Sequence, residues 1–326
     1  MGGTLWSDDH YADRAKHRAA TGKAAFAYDA DIRAGKTASK VHDKLNPHGV
    51  KWRESRDSAE HPESQAVAVL FDVTGSMGDV PRILQQNLPK LMGLLIRKGY
   101  LEHPHILVGG IGDATCDRAP LQIGQFEAGI EIENDLTNLF IEEGGGGQKT
   151  ESYELAMYFM LNHTAMDCLE KRGKRGYLFI IGDEMPYKSV DPAEVVKIIG
   201  EKLQSPLSTV QVAKDLREKF DVFYILPKMT SYYYDPEVYG VWSKLFGQHA
   251  LKLEDPAAIC ECIASAIGVA EGKTDAESIE DDLKEVGTDH RLAGVVRSAL
   301  AKVAVGSRGT EISLPDSGDA TGVATL

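Results

Sequence analysis

The feature that most constrains this chain is a series of short apolar runs spaced along its middle. They are AVAVLF at 66–71, HILVGGIG at 105–112, YLFIIG at 177–182 and DVFYILP at 221–227. A strand with one wet face alternates apolar and polar residues, whereas an unbroken run of strand length belongs to a strand covered on both faces. HALKLED at 249–255 reads as a last strand, and LQIGQFEA at 121–128 as a shorter, more exposed one.

Helical patterns separate these runs. Val80, Ile83, Leu84, Leu88, Leu91 and Leu95 recur at helical spacing in a stretch that opens on Asp79 and Pro81 and closes on Arg97 and Lys98, with a bend expected at Pro89. DLTNLFIEE at 135–143 predicts a brief helix. Residues 151–171, apolar nearly all round, predict one buried helix; 192–219 predicts a helical stretch interrupted at Pro206, and 256–270 a last core helix. Strands alternating with helices imply an α/β fold: a doubly wound, mostly parallel sheet with helices on both faces.

Residues 1–62 show no sustained period and carry isolated anchors such as Trp6, Tyr11, Phe26 and Tyr28, so they read as an N-terminal arm on a domain spanning 63–272. Residues 273–326 read as a C-terminal extension. It has an amphipathic segment at 290–303 and a Gly-, Ser-, Thr- and Asp-rich end expected to be disordered. With 36 basic against 49 acidic residues and a formal charge of -13, the chain has the wrong sign for nucleic acid or anionic membrane. No run is long enough for a signal sequence or a membrane span, which points to a cytoplasmic protein. Cys116, Cys168, Cys260 and Cys262 lack zinc-ribbon spacing and read as reduced core thiols. His103, His105 and His163 show no metal-like pairing.

In an open parallel sheet, ligands bind beyond the carboxyl ends of the strands. After AVAVLF comes Asp72-Val73-Thr74-Gly75-Ser76-Met77-Gly78. Alternate residues of an extended turn project to one side, so one carboxylate and two hydroxyls can converge. Hard oxygen donors of this kind suit magnesium first, with manganese or calcium next.

FDVTGSMG resembles the D-x-[ST]-x-S motif of von Willebrand factor A domains, whose metal-ion-dependent adhesion site follows the first strand of a Rossmann-like fold. The resemblance covers roughly residues 63–272. It implies two more ligands: a Thr from a Gly-rich loop, here Thr150 in GGGGQKTES with Gln148 as the alternative, and an Asp after a later strand, here Asp183 in IIGDE. Glu184 stands where the family usually has Gly, a place from which it can add charge or an outer-sphere hydrogen bond. Asp113 and Asp117, at the next strand end, lie on the same rim as outer-sphere or loop acids. Tyr232, Tyr233, Tyr234, Tyr239 and Trp242 form an aromatic concentration suited either to an interface or to a packed loop.

The resemblance implies metal-dependent protein binding, with an acidic side chain of the partner completing the shell, and no enzymatic role. Domains of this kind, especially bacterial ones, also act with AAA+ ATPases of the MoxR kind, which suggests an adaptor or subunit. The rival is enzymatic. Asp72-Val-Thr-Gly-Ser also resembles the nucleophile loop of haloacid-dehalogenase-type phosphotransferases, with Asp72 as nucleophile and magnesium assisting. Against that stand Thr74 in place of the second acid and the lack of a cap insertion. The GGGG at 144–147 lacks the ending of a P-loop.

Overall fold

The computed structural model describes residues 26–38, 40–129, 131–142, 144, 147–303 and 305–306. Trp6 and Tyr11 of the arm, and the segment expected to be disordered at the C-terminal end, lie outside the described residues. The apolar runs form the strands β1 (Gln65–Asp72), β2 (Pro104–Ile111), β3 (Leu121–Ile123), β4 (Gly176–Ile181), β5 (Phe220–Pro227) and β6 (Ala250–Leu253). They make one six-stranded sheet in the order β3-β2-β1-β4-β5-β6, in which only β3 runs antiparallel. The fold class is the doubly wound α/β sheet that the sequence implies.

The two-sided burial of β1 shows why its sequence is continuous. Val67, Val69 and Phe71 enter one core and Ala66, Ala68 and Leu70 the other. The first core is closed by α1 (Val80–Asn87), α2 (Leu91–Arg97) and α3 (Ile132–Asn138), and by α7 (Ile259–Ala270), α8 (Ile279–Glu285) and α9 (His290–Leu300). The second is closed by α4 (Tyr153–Asn162), α5 (Thr209–Lys219) and α6 (Pro236–Phe246). Pro89 sits in the 3-10 turn Leu88–Lys90 that separates α1 from α2.

Several local readings are corrected. The residues 151–171 do not form one helix: α4 ends at Asn162, and Thr164–Met166 becomes a short strand pairing in parallel with Arg53–Ser55 of the arm. β3 is buried, not exposed, because the arm covers its outer edge, where Ile123 N donates to Leu45 O at 2.8 Å. The break in 192–219 begins at Gly200, which caps a π-helical turn in the left-handed region (φ 87°), before Pro206 is reached. Cys168, Cys260 and Cys262 are buried, but Cys116 is exposed. No helix among the described residues is long and apolar enough to cross a membrane.

Helices α8 and α9 bring Ile279, Leu283, Ala293, Val296 and Leu300 into the first core. Leu300→Ala is therefore expected to cost about 2–5 kcal/mol in urea unfolding, the range for a buried leucine. A shift near zero would mean that this segment does not share the domain's core.

Candidate metal centre

Strand order reverses between β1 and β4, and the crevice beyond their carboxyl ends is where an open α/β sheet places its ligand. Asp72 is the last residue of β1, and Asp183 follows β4 by two residues. Because parallel neighbours lie about 4.8 Å apart, this topology sets the two carboxylates side by side. Oxygens of Asp72, Asp183 and Glu184 lie within 4.8 Å of one another, and all three residues are buried.

The turn after β1 holds the hydroxyls against this group. Thr74 donates to Asp72 Oδ1 from its backbone N at 2.8 Å and from Oγ1 at 2.7 Å. Ser76 Oγ donates to Asp183 Oδ1 at 2.7 Å and lies 3.3 Å from Thr74 Oγ1. Tyr153, in the first turn of α4, donates its OH to Asp72 Oδ2 at 2.6 Å. A Cβ at Gly182 would stand 2.0 Å from that OH, so glycine is required for the tyrosine to reach. The indole of Trp242 donates to Glu184 O at 2.7 Å while stacking on Tyr224.

Thr150 is not part of this group. It and Glu151 form a two-residue strand paired with Met185–Pro186, and successive residues of a strand face opposite sides. Thr150 turns to the Tyr187 hydroxyl and a groove of about 820 Å³, whereas Glu151 is buried and hydrogen-bonds Glu184. Gln148 does not reach the group either; its Nε2 donates to Asp113 Oδ2 at 2.6 Å. Sequence reasoning missed Glu151 and Tyr153, although strand alternation next to Thr150 was a usable signal for the first.

Asp113 repeats the Asp72 turn one strand over. Thr115 donates to its Oδ1 from N and Oγ1, and Tyr187 OH joins Gln148 on Oδ2. These bonds tie Asp113 into its loop, and it lies outside the group formed by Asp72, Asp183 and Glu184. Asp117 does the same, accepting from Asp113 N at 2.7 Å.

The aromatic residues divide. Tyr233 is buried with its OH on Glu254 Oε1, Tyr239 donates to Ala250 O, and Trp242 is fully buried. Tyr232 is half-buried and its backbone N donates to Asp183 Oδ2 at 3.0 Å. Tyr234 alone of the five projects, 77% exposed, beside Met229 at 64%.

Electrostatics make the group costly. Burial first, then the charge of Asp183, pushes Asp72 up to about 7. Glu184 is raised by burial and then by Asp72, Glu151 by burial and then by Asp72 and Glu184, and Asp183 by burial. Glu151 Oε2 is buried with no hydrogen-bond partner. An all-oxygen donor set with an orphaned carboxylate oxygen fits a hard divalent cation. Asp72, Asp183 and Glu184, with the hydroxyls of Thr74 and Ser76 against them, are the residues that would hold it.

No protein-family profile matches the chain, and no curated protein matches its sequence. Among solved structures, the pilus adhesin SpaC of Lactobacillus rhamnosus GG in its open conformation aligns with TM-score 0.41 and 10% identity, over 62% of this chain and 30% of its own. A von Willebrand factor type A protein of Catenulispora acidiphila aligns with TM-score 0.38 and 12% identity, over 64% of this chain and 43% of its own. The minor pilin PilB of Streptococcus sanguinis, as a point mutant, aligns with TM-score 0.37 and 11% identity, over 72% of this chain and 65% of its own. This chain thus spans less than half the length of the first two. At these scores the likeness adds nothing to what strand order already establishes.

The raised carboxyls set a pH dependence. Without a cation, folded Asp72 keeps its proton to about pH 7, whereas the unfolded chain releases it near 3.8. The folded state binds more protons across that interval, so this contribution is fully present below about pH 4 and lost as pH rises through 7. The melting temperature in chelator is expected to fall from pH 5 to 8. Asp72→Asn should flatten that fall, and saturating divalent cation should lessen it by favouring the ionised forms. A melting temperature that rises with pH in chelator would contradict this assignment.

Proposed function

We propose that this protein is a cation-conditional protein-binding module and not an enzyme. One observation carries the reading: the buried carboxylates are tied directly to an exposed loop. Ser231 donates to Ser76 O from both N and Oγ, at 3.0 and 3.1 Å, and Tyr232 N donates to Asp183. The same loop carries the exposed Tyr234 and Met229. A bound cation would supply the positive charge that lets Asp72, Asp183 and Glu184 ionise together. Ser76 and Asp183 would then hold the loop in one arrangement, so that the loop's surface depends on the state of the centre. The resemblance of FDVTGSMG to the adhesion-site motif supports the same reading. Tyrosine is a favoured anchor at interfaces, and an exposed pair such as Tyr234 and Met229 fits that role.

The phosphotransferase reading fits the residues less well. Asp72 is fully buried, and Thr74 stands where that loop would carry its second acid. The nearby Lys149 is paired with Asp235 at 2.5 Å. A MoxR-type AAA+ ATPase is one partner class that the binding reading admits.

The test is affinity capture with the full chain in divalent cation or in chelator, alongside turnover of a generic phosphoester. Capture is expected in cation only and to be lost in Asp72→Ala. In Tyr234→Ala it should weaken about tenfold or more, as for an aromatic anchor. Phosphoester turnover should be absent. Cation-independent capture, together with turnover abolished by Asp72→Ala, would establish the enzyme instead.

A further inference from the structure

We infer that the turn at 58–63 is an acid-opened lid: His61, carried on it, latches onto His103 and His105 while the three rings are neutral and lets go when they are protonated. The latch stands apart from the metal centre, since His103 and His105 lie at the start of β2 and the carboxylates at the far ends of β1 and β4.

The latch is a cluster of rings. His61 meets His103 edge to face with 5.5 Å between centroids, and meets His105 in the same way at 5.3 Å. His105 is 3% exposed and His61 half-buried. Both line one cavity of about 60 Å³, together with Arg56, Glu60, Glu127 and Glu131. His61 Nδ1 and His105 Nε2 are buried with no hydrogen-bond partner, so a proton added at either would meet no protein acceptor. The other nitrogen of His105, Nδ1, is answered by Ser55 Oγ at 3.1 Å.

The base of the lid is fixed. Asp57 Oδ1 accepts from Ser64 N at 3.1 Å and from Ser64 Oγ at 2.8 Å, which closes the turn on itself. Arg172 ties down both ends, donating from Nη1 to Asp57 Oδ2 at 2.8 Å and from Nη2 to Ser64 O at 2.6 Å. The bond from Arg172 holds the Asp57 carboxyl well below the usual carboxylate range, so mild acid leaves this hinge intact. Between the hinge residues, Ser58 N donates to His61 O at 3.0 Å and His61 N to Ser58 Oγ at 3.1 Å. The turn is thus braced internally and can lift as a unit, baring the cavity wall where Phe126 is 1% exposed.

The surroundings supply no ready counter-charge for an imidazolium. From the arm, Arg56 is itself a cation, Asp57 is committed to Arg172 and Lys171, and Glu60 is exposed to water, which screens it. From the segment between β3 and α3, Glu127 and Glu131 face the cavity. Burial, then the charges of Asp135 and Glu131, pushes Glu127 up to about 7, so it is protonated over the range in which the rings would need it. Burial first, then the charge of His61, pushes His105 down to about 4; burial, then His103, lowers His61. An open lid returns His105 toward its ordinary 6.5. The closed form therefore binds fewer protons between about 4 and 6.5, and this contribution to closure is fully present above 6.5 and lost as pH falls through 4.

The experiment is hydrogen–deuterium exchange of the full chain at about pH 5 and pH 7.5, corrected for intrinsic rates and read by mass spectrometry. A local reading is needed because the buried carboxyls act on the melting temperature with the opposite sign. Protection at 58–63 is expected to fall about tenfold or more at the lower pH, while Arg53–Ser55 and β5 keep theirs. His61→Gln, at the half-buried position, should lessen the fall. Adding His105→Asn, whose amide can still meet Ser55, should remove it, and where that double variant does not fold the single one decides. Equal protection at both pH values, a loss that takes in Arg53–Ser55 and β5 as well, or a fall undiminished in His61→Gln would overturn the inference.

Discussion

Three buried carboxylates, Asp72, Asp183 and Glu184, gathered at the strand ends are the constraint on which the rest of this structure turns. Like charges this close cannot all ionise without a counter-charge, and burial removes the water that would otherwise screen them. The fold meets part of that cost with fixed donors: Thr74 and Tyr153 on Asp72, and Ser76 and the Tyr232 backbone on Asp183. Each donor depends on a local choice of residue, most plainly Gly182, without which Tyr153 could not approach. The two cores, one on each face of the sheet, keep β1 and β4 in register so that the acids stay together.

Much of this was legible in the sequence because the signals are local. AVAVLF has to be a strand buried on both faces, and its alternate residues do divide between the two cores. Asp72, Thr74 and Ser76 follow it within one turn, and Asp183 and Glu184 follow YLFIIG in the same way, so the position of a strand end was enough to find them. What sequence could not decide was a register of one residue. Thr150 and Glu151 sit on a short strand whose pairing with Met185–Pro186 selects which of them faces the acids. That pairing spans 35 residues of chain, and no property of GGGGQKTES reveals it.

The other misreadings share this non-local origin. The stretch 151–171 has the composition of one helix, yet Thr164–Met166 pairs with Arg53–Ser55, more than 100 residues away. The aromatic residues were indistinguishable until their partners were known. Glu254, the Ala250 carbonyl and the Glu184 carbonyl draw Tyr233, Tyr239 and Trp242 inward, and only Tyr234 is left outside.

This division separates two tasks that a single exposed metal would combine. In the binding role we propose, charge is held by the buried side chains of Asp72, Asp183 and Glu184, and the loop at 228–235 is the recognition surface. The loop is well suited to carry it. Met229 occupies the left-handed region at φ 76°, a conformation that a non-glycine residue adopts at a cost of order 1 kcal/mol. Such strain persists only where neighbours over-determine the backbone. Here Lys228 N is held by Leu253 O, Thr230 Oγ1 by Pro227 O, and Ser231 N by Ser76 O. The last of these anchors is the carbonyl of the residue whose hydroxyl binds Asp183. A shift at the carboxylates therefore reaches the strained, exposed segment through one residue, which is how a buried charge centre can govern a surface it does not itself touch.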